Sequence, residues 1–140
     1  MQNYTNHRRF HPLYHYTALP LSLLSFIILT LLLIKEVSWT NLLIALLTIS
    51  NFIVLALVRG YAIKNQDRII RLEMRQRYFE LSGKSFSENE KQLKLAQIIA
   101  LRFAQDEELL LLVEETIKQN MSADQIKQTI QHWKADNNRV

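Results

Sequence analysis

The N-terminal stretch MQNYTNHRRFHPLYHY places His7, His11 and His15 four residues apart. On a helix that spacing stacks imidazoles on one face, as a zinc or haem site requires. Pro12 disfavours a continuous helix through all three, and no carboxylate accompanies them. The expected role of this arm, with Asn6, His7, Arg8, Pro12 and His15 as its marked positions, is interfacial packing on lipid headgroups or on a partner. Metal or haem ligation is the weaker alternative, and no cofactor is expected. A second candidate for chemistry is the acidic run Asp106, Glu107 and Glu108. Acids at this position suit the opening turn of a helix, where they meet the positive end of the macrodipole, with Arg102 as a salt-bridge partner. The chain has no cysteine, which excludes disulfides, thiolate metal sites and cysteine nucleophiles. No catalytic constellation is left, and the sequence predicts a protein that is not an enzyme.

A third feature is cationic. In KNQDRIIRLEMRQR, residues 64–77, the bases Lys64, Arg68, Arg71 and Arg75 form one helical stripe, while Ile63, Ile70, Met74 and Leu81 form another roughly 120 degrees away. Asp67 with Arg71 and Glu73 with Arg77 have the spacing of favourable i, i+4 pairs. A basic amphipathic helix of this kind can attract anionic lipid, present its apolar stripe to a protein partner, or contact nucleic acid such as ribosomal RNA. The interleaved acids make the last reading the weakest.

What positions these residues is a pair of apolar runs. Residues 18–34 read ALPLSLLSFIILTLLLI and residues 40–58 read TNLLIALLTISNFIVLALV. Each is uncharged and long enough, at about 1.5 Å per residue, to cross a hydrocarbon core. Neither has the polar face that a helix of this length needs in water. Pro20 falls in the first turn of the first run, where a missing amide hydrogen costs little. The short link from Lys35 to Trp39 demands a tight antiparallel hairpin.

Charge sets the orientation. Arg8 and Arg9 precede the first run, Lys35 lies in the link, and residues 59–81 hold six bases against three acids. Both termini are therefore expected in the cytoplasm, with Tyr14, Tyr16, Trp39 and Tyr61 at headgroup level. Asn41, Ala45, Thr48 and, to one side, Asn51 in the second run match Ser22 and Ser25 in the first as a small and polar seam. Such a seam lets helices approach closely and hydrogen-bond, either within the hairpin or to another subunit. No charged residue lies inside either run, which argues against an ion or proton pathway.

Beyond Gly83, a helix stop after Leu81, the chain is rich in charge and amide: residues 82–140 hold eight bases and nine acids. Three helices are expected there. The first opens at Ser87 with Glu90 in capping-box spacing and runs through Leu93, Leu95, Ile98, Ile99, Leu101 and Phe103; the second spans the acidic run to Asn120; the third opens at Ser122 with Gln125 and buries Ile126, Ile130 and Trp133. The whole chain reads as all-α: a cytoplasmic N-terminal arm over 1–17, a two-helix transmembrane hairpin over 18–58, a basic amphipathic stalk helix over 59–82, and a cytoplasmic helical module over 83–140.

The blocks QNYTNHRR with Pro12 and His15, KNQDRIIRLE, QIIALRFAQDEEL and IKQTIQHWKADNNRV, in this order, resemble an uncharacterised family of small two-span bacterial membrane proteins. The resemblance covers nearly the whole chain. It implies a bacterial inner-membrane location, and no activity, cofactor or catalytic residue. With the seam and the small tail, it leads to the expectation of a non-enzymatic accessory or scaffold subunit, partnered by the lipid bilayer and by other inner-membrane subunits or by further copies of itself. A membrane-anchored adaptor docking a ribosome, translocon or other cytoplasmic machine is the second expectation.

Overall fold

The computed structural model describes Tyr4 and residues 11–135. Over these residues it is built from helices, and it divides into two compact units, Phe10–Ile63 and Lys64–Arg139, the latter taking in Tyr4. The expected all-α class is what the chain adopts.

In the first unit a π-helical segment, Leu13–Ala18, leads directly into α1, Leu19–Lys35. Pro12 stands at the N-cap of that segment, where its lack of an amide hydrogen is harmless, and the Leu19 amide donates to the Tyr14 carbonyl, the i, i+5 bond that defines the wide turn. Helix α2, Trp39–Ser82, follows after three residues and runs unbroken through Gly60. The turn is held locally: Asn41 donates its amide hydrogen to Ser38 Oγ at 3.2 Å and its side-chain Nδ2 to the Glu36 carbonyl at 2.8 Å. The two helices pair antiparallel. Glu36 meets Asn41 at the turn, Phe26 stands edge-on to Phe52 with ring centroids 6.1 Å apart, and the Arg59 guanidinium lies 5.7 Å over the Tyr14 ring. Both helical stretches, Leu13–Lys35 and Trp39–Ser82, are long and apolar enough to cross a membrane.

The second unit wraps four short helices on the last turns of α2: α3 (Ser87–Gln92), α4 (Leu95–Leu101), α5 (Asp106–Gln119) and α6 (Ala123–Thr129). Ile70, Met74 and Tyr78, each one turn apart on α2, are buried with Phe86, Ile98, Leu101, Phe103, Leu109, Val113 and Ile126 in one core. Gly83 ends α2 with φ +67, the left-handed conformation that glycine adopts without penalty. Asn120 closes α5 in the same region of φ and ψ, and Ser122 and Gln125 form the reciprocal capping box of α6. The chain then returns to α4: the Gln105 amide donates to the His132 carbonyl and the Lys134 amide to the Phe103 carbonyl, with the Phe103 and Trp133 rings 5.2 Å apart.

One expectation for this unit gives way. The first of the three tail helices is two, because Leu93 is extended and turns the chain between α3 and α4. The turn lets Leu93 join the core, and Gln97 seals it by accepting from the Lys94 amide and donating to the Met121 carbonyl at 2.7 Å. Ser87 does not cap α3 either, since its hydroxyl pairs with Ser85 while Glu90 is drawn to α2.

Candidate interaction surfaces

The residues expected to form the seam of the apolar hairpin differ in burial and in chemistry. Ser22 and Thr48 are buried with Leu29, and Ser25, Asn41 and Ala45 are half-buried. Their hydroxyls, however, donate to their own helices: Ser22 to the Ala18 carbonyl, Ser25 to that of Ser22 and Thr48 to that of Ile44, at 2.8 to 2.9 Å. Small side chains here allow close approach without cross-helix hydrogen bonds. Asn51 is not part of the seam: it is exposed on the outer side of α2, a correction to its expected place. Around the seam large residues, Leu24, Leu31, Leu43, Leu47 and Val54 among them, face outward.

At the open end of the hairpin, His11, Leu13, Tyr14, Ala18, Val58, Arg59 and Ala62 line a cleft of about 350 Å³. His11 is exposed, and the His15 ring Nδ1 lies 3.0 Å from the His11 carbonyl, which commits one ring nitrogen to the backbone. Among the described residues no group of three or more His, Asp or Glu side chains could hold a metal ion. His7, with Asn6 and Arg8, lies outside the described residues.

Half of the residues in the two expected stripes of α2 are taken up by the chain itself. Ile70 and Met74 are buried at 2% and 1% exposure under the tail, so they cannot face another protein, whereas Leu81, like Ile63 of the first unit, is exposed. Of the basic stripe, Lys64 and Arg68 are exposed, but Arg71 Nη1 donates to Glu90 Oε1 at 2.8 Å and Arg75 Nε to Glu90 Oε2 at 2.6 Å. The hydrogen bond from Arg75, assisted by that from Arg71, holds the Glu90 carboxyl below the usual carboxylate range against the opposing effect of burial. The expected i, i+4 pairs are not made, because Arg71 turns to Glu90 and Arg77 turns to the tail.

Arg77, expected only as a partner of Glu73, ties α2 to the α4–α5 turn. Its Nε donates to Asp106 Oδ1 at 2.5 Å, its Nη1 to the Arg102 carbonyl at 3.2 Å and its Nη2 to the Ala104 carbonyl at 2.6 Å. This arrangement satisfies carbonyls at a helix end with a planar cation, which an ammonium could not do. Asp106, expected to pair with Arg102, instead takes Arg77 and, at 3.8 Å, Lys134, and Arg77 lowers its carboxyl below the ordinary range. Glu108 accepts from the Gln131 and His132 amides at 3.2 Å each, so it too has a structural task. The clue to Arg77 was its place three residues after Met74, on the same side of the helix.

No curated protein and no solved structure matches the chain. A family match does: over residues 1–140, the whole of its length, the chain belongs to the Family of unknown function (DUF6526).

Proposed function

We propose that this protein is a non-enzymatic accessory or scaffold subunit of a bacterial inner-membrane assembly. In this reading the hairpin crosses the bilayer, the bases flanking it keep both termini in the cytoplasm, and the module after residue 63 is the cytoplasmic interaction part. The observation that carries it is Asn51. Its amide is exposed, the residues one turn either side of it include exposed Leu47 and Val54, and in hydrocarbon it would be unpaired, at a cost of several kcal/mol, unless another protein helix covers it.

The adaptor reading, with the basic stripe docking a ribosome or translocon, has less to stand on. Arg71 and Arg75 are already bound to Glu90, which leaves Lys64 and Arg68 as the exposed bases of that stripe without an ion-pair partner among the described residues. Purification in a gentle detergent followed by mass measurement tests the leading proposal. The expected result is a particle that holds at least one different subunit, which Asn51→Leu should release; this chain with nothing else co-purifying, as monomer or dimer, would sink the idea.

A further inference from the structure

On α2, the face opposite Ile70, Met74 and Tyr78 carries Asn65, Ile69, Leu72, Gln76 and Phe79, at intervals of four, three, four and three. That is the heptad spacing of a two-stranded coiled coil, with Ile69 and Gln76 at a and Asn65, Leu72 and Phe79 at d. Ile69, Leu72 and Phe79 are 53%, 60% and 59% exposed, although each is large and apolar. The flanks of this stripe differ in sign. One flank, the g positions, holds Arg68 and Arg75; the other, the e positions, holds Glu73 and Glu80.

We propose that this face pairs with the same face of a second copy of the chain, the two helices parallel. The charge pattern selects both the occupant and its direction. In a parallel pair each g residue faces the e residue five positions on in the other helix, so Arg68 meets Glu73 of the second copy and Arg75 meets Glu80 of the second copy, twice over by symmetry. In an antiparallel pair g faces g and e faces e, which sets arginine against arginine and glutamate against glutamate. Arg68 and Glu73 are both exposed and have no ion pair within the chain among the described residues. Arg75 reaches Glu90 and Gln76 reaches Glu80 at 2.8 Å, so the second pair shares its groups and Arg68 with Glu73 carries the specificity. The stripe is short for a coiled coil in water. Two copies confined to one membrane meet at a high effective concentration, which compensates for its length.

The pairing goes beyond the accessory-subunit reading, and the two can fail separately. Because the chain lacks cysteine, Asn65→Cys and Phe79→Cys each supply a sole thiol in the full-length protein in native membranes. Parallel pairing predicts that each variant alone oxidises to a disulfide dimer. Antiparallel pairing would instead cross-link only a mixture of the two, since the positions lie about 21 Å apart along a helix, and that result overturns the proposal. No cross-link from either variant, as lipid or a different protein on the stripe would give, also overturns it. A charge exchange adds a second reading. In the Phe79→Cys background, R68E alone and E73R alone should each lower dimer yield about ten-fold, and co-expression should restore it as the mixed dimer. If the mixture recovers nothing, the proposed pairing of Arg68 with Glu73 is wrong. A cross-linked dimer with no other protein co-purifying supports the self-pairing and overturns a larger assembly of different subunits; a foreign subunit without the cross-link does the reverse.

Discussion

The two units use the same apolar residue types in opposite senses. In Phe10–Ile63 the buried positions include Ser22 and Thr48 beside Leu29, and most of the large aliphatic and aromatic side chains point outward; in Lys64–Arg139 the buried positions include Met74, Phe86, Phe103, Ile98 and Leu109, and most of the charge lies outside, beside the exposed stripe of Ile69, Leu72 and Phe79. The hydrophobic effect explains the second arrangement, where burying large side chains removes them from water. It does not explain the first, where small residues approach closely and the outer surface has the apolar character that a helix crossing a membrane needs. One helix, α2, contributes to both, and its sequence changes character along its length.

The largest test of this contrast is to cut the tail away from its base. A fragment of residues 64–140 should unfold cooperatively by circular dichroism, whereas residues 83–140, deprived of Ile70, Met74 and Tyr78, should show no cooperative transition. If the shorter fragment folds equally well, the last turns of α2 are not part of the core. Next, apolar-to-charged changes should separate the units. Leu24→Arg, on the outer face of the hairpin, is expected to cost about 3 kcal/mol of membrane insertion, while Leu111→Arg, an exposed position on α5, should shift stability by less than about 0.5 kcal/mol. A glycosylation-based insertion assay and a thermal melt check the two.

Within the second unit, Met74→Ala should destabilise by about 3 kcal/mol through the cavity it leaves, and Arg77→Ala by about 2 kcal/mol through the carbonyls it orphans. Urea titration of both variants tests that order. The smallest effect concerns pH. Glu90 and Asp106 are held below their ordinary range in the folded state, so the stability they contribute is fully present above the unfolded value near about pH 4 and is lost as pH falls through and below it. Glu90→Gln should cost about 1 kcal/mol at neutral pH and flatten the acid limb of the stability curve; an unchanged acid limb would count against the pair with Arg71 and Arg75.

Much of this was legible from sequence where a local cause sufficed. Gly83, Asn120, Pro20 and the Ser122 and Gln125 pair each act within one turn of the chain, and each does what its type suggests. The hairpin was legible because two uncharged runs and a five-residue link leave little choice. What sequence could not supply was long-range competition. The acid before Arg71 and the acid before Arg77 offer acceptable partners, and only the folded tail brings Glu90 and Asp106 to better ones. The small size of the tail suggests that it leans on the stalk, on a second copy or on a partner, but nothing in residues 63–81 announces which of the basic and apolar stripe residues it covers. Asn51 was placed in the seam by proximity on the wheel, yet helix packing puts Thr48 inward and turns Asn51 away.

The docking of the tail on Ile70, Met74 and Tyr78 also fixes an order of events during synthesis. Translation proceeds from the N-terminus at a few to twenty residues each second, so this face leaves the ribosome seconds before Phe103, Val113 and Ile126 emerge to cover it. For that interval the nascent chain displays a bare apolar ladder beside Arg71, Arg75 and Arg77, all three still without Glu90 and Asp106. A ribosome stalled shortly after Gly83 has emerged would hold the chain in that state, the moment at which it is most dependent on a chaperone.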